Sequence, residues 1–318
     1  MYHYFYDIAF ELADIATLIT PARYLFNAGK TPRIWNEKML NDEHFSIIKY
    51  YDNSRDVFPS VDIKGGVAIG YRDRNNILGP IEVFTANDFM TRILKKVTKK
   101  AESYLNEIWV SNTSYCYTKD FFTDNPAFKS RVSGGSSRYL SSSVFDKFPE
   151  CFFDEKPADG EEYAEIIGRQ NNSRVIKWFR TKYFNPPKNF GKYKVFLASS
   201  SGSGKIGEAF ADPVLGAPNI GATETFFSLG NFNNEIEASN LLKYLKTKFA
   251  RVMLSTSKVT QAMKSEKVWV NVPSFKFNSE DDIDWSKPIP QIDEMLFSIF
   301  GLDEAEARYV REVAAPMD

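Results

Sequence analysis

Over residues 4–13, Phe5, Ile8, Ala9 and Leu12 recur on one helical stripe, and after Asp14 the run Ile15-Ala16-Thr17-Leu18-Ile19 changes to strand character. The pattern predicts a helix and then a buried strand that Pro21 closes. Asn27-Ala28-Gly29-Lys30 reads as a turn, and Thr31-Pro32 opens a second helix carrying Trp35, Met39 and Leu40. Residues 47–51 and 66–71 are strand-like, the latter ended by the turn Arg72-Asp73-Arg74-Asn75-Asn76. Strand alternating with helix predicts an α/β layered sheet. It is only part of one, because no Gly-rich first strand-helix turn of the nucleotide-binding kind is present.

Farther along, residues 133–137 and 141–143 are Ser/Gly-rich and read as a loop or hinge, with a domain boundary placed before them, near residue 85. Residues 192–197, 224–229 and 268–272 have strand character, the last stopped by Pro273. Residues 235–250 form the clearest helix, with Ala238, Leu241, Leu242 and Leu245 at helical spacing, and residues 289–313 predict a C-terminal helix pair. The expected fold is therefore α/β over residues 1–85, followed by a mixed α+β region over residues 86–318.

Composition narrows the function classes. The 318 residues carry 40 Lys and Arg against 41 Asp and Glu, a net charge of −1, so any contact with nucleic acid must come from a local patch. Cys116 and Cys151 lie far apart, without metal-ligand spacing, and fit a reducing cytoplasm. No apolar run reaches the length of about 20 residues that a membrane span needs. The 27 Phe and 16 Tyr predict a phenylalanine-rich core rather than a surface of stacking platforms.

Candidate chemistry is sparse. Residues 202–207 suggest a phosphate loop, but Ser199 stands where its first glycine belongs and Ile206 where its hydroxyl belongs. A glycine loop whose Lys205 tracks a phosphate backbone is the better reading. His3 and His44 lie near no Cys or carboxylate cluster, so no metal site is expected. Asp154-Glu155-Lys156 holds the residue types of a metal-dependent nuclease without a second placed aspartate. Arg169 with Asn171-Asn172-Ser173-Arg174, and the stretch 255–261 with Lys258, Thr260 and Gln261, concentrate amides, hydroxyls and cations that suit base edges and phosphates.

Residues 52–73, DNSRDVFPSVDIKGGVAIGYRD, carry a family resemblance. The segment resembles the last catalytic block of gamma-class N6-adenine DNA methyltransferases in the type IIG restriction-modification branch. Leu18-Ile19-Thr20-Pro21-Ala22-Arg23-Tyr24-Leu25 looks like the strand and turn after the catalytic loop of that family, and residues 35–42 like its next helix. Glu224-Thr225-Phe226, residues 244–249, Lys258-Val259-Thr260-Gln261 and Asp282-Ile283-Asp284-Trp285-Ser286 look like its target-recognition portion. The resemblance implies a partial Rossmann-like methyltransferase sheet joined to a target-recognition domain. It also implies methyl transfer from S-adenosylmethionine to the N6 amine of an adenine flipped out of double-stranded DNA.

By that resemblance Phe58 covers one face of the flipped base, and Lys64 joins the DNA-contacting set. The family's cofactor loop and its Asn-Pro-Pro-Tyr loop find no match here; Asn185-Pro186-Pro187-Lys188 lacks the aromatic and reads as a turn. The chain alone is therefore expected neither to hold the cofactor nor to methylate, and to depend on an N-terminal half or a second polypeptide. The alternatives are a stand-alone DNA specificity subunit and a restriction endonuclease fragment.

Overall fold

A computed structural model describes residues 2–26, 30–85, 87–258 and 260–317, in two units made of residues 1–96 and 97–318. The turn expected at Asn27-Ala28-Gly29 lies outside the described residues.

In the first unit, α1 (Tyr2–Leu12) leads into β1 (Ile15–Pro21), α2 (Arg33–Asn41), β2 (Phe45–Tyr51) and β3 (Val67–Asp73), and α3 (Asp88–Lys100) begins here. The sheet has the order β1-β3-β2, and both ladders are antiparallel. It follows that β1 and β2 run parallel, joined by the α2 crossover, with β3 inserted between them. A parallel pair needs such a crossover because no tight turn can join strands that point the same way. Mixed helix and strand content and small sheets are thus in place.

The expected apolar stripe of α1 is not the face that packs. The buried residues are His3 and Tyr6, whereas Phe5, Ile8 and Leu12 are 65%, 53% and 83% exposed. Tyr6 wins the core because its ring meets Tyr24, Trp35 and Phe45 while its hydroxyl reaches Thr20 Oγ1 at 3.0 Å and Tyr24 Oη at 3.2 Å. A tyrosine can be buried at little cost only when its hydroxyl is satisfied in this way. The strand expected to be buried is likewise an edge: among the described residues β1 has a strand neighbour on one side only, and Ile15 and Ile19 are half exposed.

The second unit contains β4 (Trp109–Val110), β5 (Cys116–Tyr117), α4 (Lys119–Asp124), α5 (Val144–Lys147), β6 (Tyr163–Gln170), β7 (Ser173–Arg180), β8 (Phe184–Asn185), β9 (Tyr193–Ala198), β10 (Val214–Gly216), β11 (Ile220–Ala222) and β12 (Phe226–Phe232). Four helices follow: α6 (Glu235–Lys246), α7 (Lys248–Ser255), α8 (Ile289–Phe300) and α9 (Glu304–Val313). The strands form sheets ordered β10-β9-β12-β4, β11-β6-β7 and β5-β8. The phenylalanine excess is absorbed between them, where Phe121, Phe148, Phe152 and Phe179 are buried and Phe152 stacks on Phe179 at 4.4 Å.

Two predicted elements change. The helix expected over residues 235–250 breaks at Thr247, whose extended backbone (φ −61°, ψ 149°) and side chain, accepting from the Ala250 N–H at 3.1 Å, start a new helix. Residues 268–272 are not a strand. Glu266–Val268 is a 3₁₀ turn, and Trp269 is fully buried with its Nε1 donating to Met263 O at 2.9 Å. A buried indole that satisfies its only polar atom locally has no need of a sheet partner. Among the described residues, no helix is long and apolar enough to cross a membrane.

Candidate nucleic-acid interface

In the first unit the β2–β3 connection, residues 52–66, is a built loop rather than a slack one. Ser54 is 3% exposed, donates its hydroxyl to Val61 O at 2.8 Å and accepts the Ile63 N–H at 2.8 Å, so one side chain fastens both limbs. Asn53 Oδ1 caps the Ser54–Asp56 turn by accepting the Arg55 N–H, and the Phe58 N–H closes on Ser54 O at 2.8 Å. At the base, Gly66 sits at φ +74°, where an added Cβ would lie 2.3 Å from Tyr51 O. Only glycine fits there without strain.

This frame presents Phe58, 40% exposed, with Arg55 and Lys64 exposed nearby in sequence. Lys64 Nζ contacts Asp62 at 2.9 Å, both side chains in solvent. The Lys64 hydrogen bond and charge hold the Asp62 carboxyl below its ordinary value. A solvated pair of this kind contributes little and yields readily to a stronger anion.

In the second unit three segments far apart in sequence meet. β6 and β7 form a hairpin in which Gln170 pairs with Ser173, leaving a two-residue turn, Asn171-Asn172, at φ +50° and +61°. Both positions need positive φ to match the twist of the strands, and asparagine tolerates it better than most residues. From β7, Arg174 donates to Asp212 O at 2.9 Å; the Ala211 N–H donates to Ser201 Oγ at 2.7 Å; and the Ser201 N–H donates to Gln261 O at 2.8 Å. The hairpin, the glycine loop and the segment with Thr260 and Gln261 are thus linked hydrogen bond by hydrogen bond. Arg169, Asn171, Lys205, Thr260 and Gln261 are exposed along it.

Lys258 departs from the expected set. It is 3% exposed, and its ammonium is paired with Glu208, which also accepts the N–H groups of Ser203 and Gly204 at 2.7 Å each. Burial raises the Glu208 carboxyl, but Lys258 and those two amides outweigh it and bring it down to about 2. Lys258 therefore fastens the glycine loop instead of facing solvent, and Val259 lies outside the described residues. The loop also does not fit a cofactor cradle: its amides are used by Glu208, and a Cβ at Gly202 would lie 2.4 Å from that carboxylate.

Other candidates resolve as structure. His3 is buried beside Trp35, and His44 Nδ1 lies 2.9 Å from Asn76 O. Asp154 is bound to Lys177 at 2.6 Å, and among the described residues no group of three His, Cys, Asp or Glu side chains could hold a metal ion. Asn185 ends β8, and the turn follows the two prolines, with the Phe190 N–H closing on Pro187 O at 3.0 Å, so the Asn-Pro-Pro-Lys string runs from strand end into a turn. A cleft of about 630 Å³ beside α6 is lined by Glu237, Asp281, Asp282 and Asp284, a field that repels phosphate.

Sequence reasoning gave Ser54 no role, and it placed Asn172 and Arg174 in a polar stretch without setting them apart from their neighbours. The Asn-Ser pair before a short turn was a legible cap signal. The hairpin was hidden because neither strand alternates cleanly in polarity.

Residues 1–58 match the family model of the Eco57I restriction-modification methylase, and the match ends on Phe58. No curated protein matches the chain. The crystal structure of the type IIG restriction endonuclease BpuSI aligns with 94% of this chain at a TM-score of 0.33 and 10% identity, and the chain spans 46% of the length of that structure. Over its first 58 residues, this chain is similar to restriction-modification methylases.

Proposed function

We propose that this chain is the DNA-recognition part of an adenine-specific restriction-modification methyltransferase. The observation that carries the reading is the methylase family match over residues 1–58, which ends on a loop built to display an aromatic side chain. Extruding an adenine costs a few kcal/mol. Stacking on an aromatic ring contributes about 1–3 kcal/mol per base, enough for Phe58 to offset much of that cost.

In this reading the second unit reads the sequence through Arg169, Asn171, Lys205, Thr260 and Gln261, and Lys64 holds a phosphate near the flipped base. S-adenosylmethionine is bound by a partner segment, since the amides of the glycine loop at residues 202–207 are occupied by Glu208. The open edge of β1 and the exposed Phe5, Ile8 and Leu12 of α1 suit such a segment, which would add a strand to the sheet and a helix against α1.

Selection of bound duplexes from a randomised pool by the full chain tests the reading. One adenine-containing motif should be enriched, and 2-aminopurine at that adenine should brighten on binding in a Phe58-dependent way. Recovery of no motif would overturn it. A stand-alone specificity subunit is favoured by the linked interface lying wholly in the second unit, and it predicts an enriched motif with no 2-aminopurine response.

A further inference from the structure

Cross-strand pairing in the β6–β7 hairpin sets Arg169 directly opposite Arg174, one pair in from the turn. Side chains opposite each other on an antiparallel ladder share a face, with Cβ atoms roughly 4.5–5.5 Å apart, and like charges so placed destabilise the strand pair. Both arginines are exposed, and among the described residues neither forms an ion pair. The nearby Asp212 gives Arg174 only its backbone carbonyl, while its carboxylate lies 3.7 Å from Lys246.

Each guanidinium is instead anchored by a carbonyl. Arg169 Nη2 donates to Asn172 O at 2.7 Å, Arg174 Nη2 donates to Asp212 O at 2.9 Å, and the Arg174 guanidinium lies 5.8 Å from the centre of the Phe226 ring. One donor of each fork is used and four are left. Two anchored, uncompensated forks on one face of a hairpin with a two-residue turn are matched by a single tetrahedral oxyanion that accepts from both. A guanine edge would occupy only one of them.

We infer that Arg169 and Arg174 together clamp one backbone phosphodiester of DNA, so that the hairpin is fixed by a phosphate and its Asn171-Asn172 tip is what reaches a base edge. The inference rests on the DNA reading above but assigns Arg169 to the backbone rather than to a base, and it adds Arg174 to the site.

A double-variant cycle on the full chain tests it, with a random-sequence duplex as the probe and affinity followed against salt. One phosphate contact contributes about 0.9 to the log–log salt slope. Arg169→Gln and Arg174→Gln should each lower the slope by about that much, and the double variant should add little, because both arginines serve one phosphate. Additive losses, or an unchanged slope, overturn the clamp.

Inorganic phosphate titrated into the protein without DNA, read at the two arginine Nε–H resonances, separates this inference from the DNA reading. Saturable shifts of both resonances, with that of Arg169 lost in Arg174→Gln, are expected. A linear drift at either overturns the pair whatever the duplex shows. Saturation without any duplex binding overturns the DNA reading alone, and with it the assignment of the anion as a phosphodiester. Both Gln variants should melt no lower than the parent, since each removes one of two opposed like charges.

Discussion

The carboxylate of Asp293, on α8, caps α7: one oxygen accepts the Lys248 N–H at 3.1 Å and the other the Phe249 N–H at 2.9 Å. Together with Thr247 it satisfies the first free amides of the helix, the reason the chain can break and restart there at low cost. Replacing Asp293 with Ala should lower stability by about 1–3 kcal/mol, because buried donors are left without acceptors. Asn, which keeps one acceptor, should recover part of the loss in urea unfolding.

Asp293 also carries a pH dependence. Burial raises its carboxyl to about 6 from an ordinary 3.8, against the pull of the Phe249 and Lys248 amides and of Arg251 and Lys248. The folded state therefore holds a proton that the unfolded state has released between those values. Its favourable contribution is fully present below about pH 4 and is lost as pH rises toward 6, on the order of 3 kcal/mol over the window. Relative to Asp293→Asn, the parent should lose stability from pH 4 to pH 6; a relative gain would contradict the assignment.

Glu208 titrates in the opposite sense. Its carboxyl is held down at about 2 because Lys258, Ser203 and Gly204 outweigh the effect of burial. The stability it contributes is present above its ordinary value of 4.5 and lost as pH falls toward 2. Lys258→Met leaves Glu208 with its two amides and the Ser203 hydroxyl at 3.0 Å but no countercharge. The cost should be about 3 kcal/mol, the lower end of what breaking a buried pair entails. Protease sensitivity near residues 202–207 should rise with it.

Gly66→Ala should cost more than about 1 kcal/mol, since it forces a Cβ into positive φ and against Tyr51 O. Phe58→Ala, at an exposed tip, should leave stability within about 0.5 kcal/mol. The first variant should therefore lower both melting temperature and 2-aminopurine response, and the second the response alone. Equal loss of stability in both would mean that Phe58 is a core residue.

Ile8→Lys together with Ile19→Lys places charge on the exposed α1 face and on the open β1 edge. An uncovered apolar edge strand invites association with other chains, and lysine is the usual guard against it. The pair should leave the melting temperature unchanged and lower concentration-dependent association in sedimentation. Unchanged association would show that this face is not sticky.

Elements with strong local signals were legible in the sequence. The Trp35, Met39 and Leu40 spacing places α2, Pro21 ends β1, the alternation before Asp73 places β3, and the phenylalanine count announces the core of the second unit. The loop after β2 was also legible, because Asn-Ser caps and a Gly-Gly base are local conformational requirements. What tertiary structure alone decided was which surface each residue meets. The stripe of α1 has helical period, yet Tyr6 takes the core because Thr20 and Tyr24 lie where its hydroxyl needs them. Lys258 reads as a surface cation until Glu208, fifty positions away, withdraws it. Arg169 and Arg174 are two cations in a polar stretch until strand register sets them face to face. Periodicity is a property of neighbours along the chain, whereas partners, burial and charge pairing depend on residues the fold brings from elsewhere.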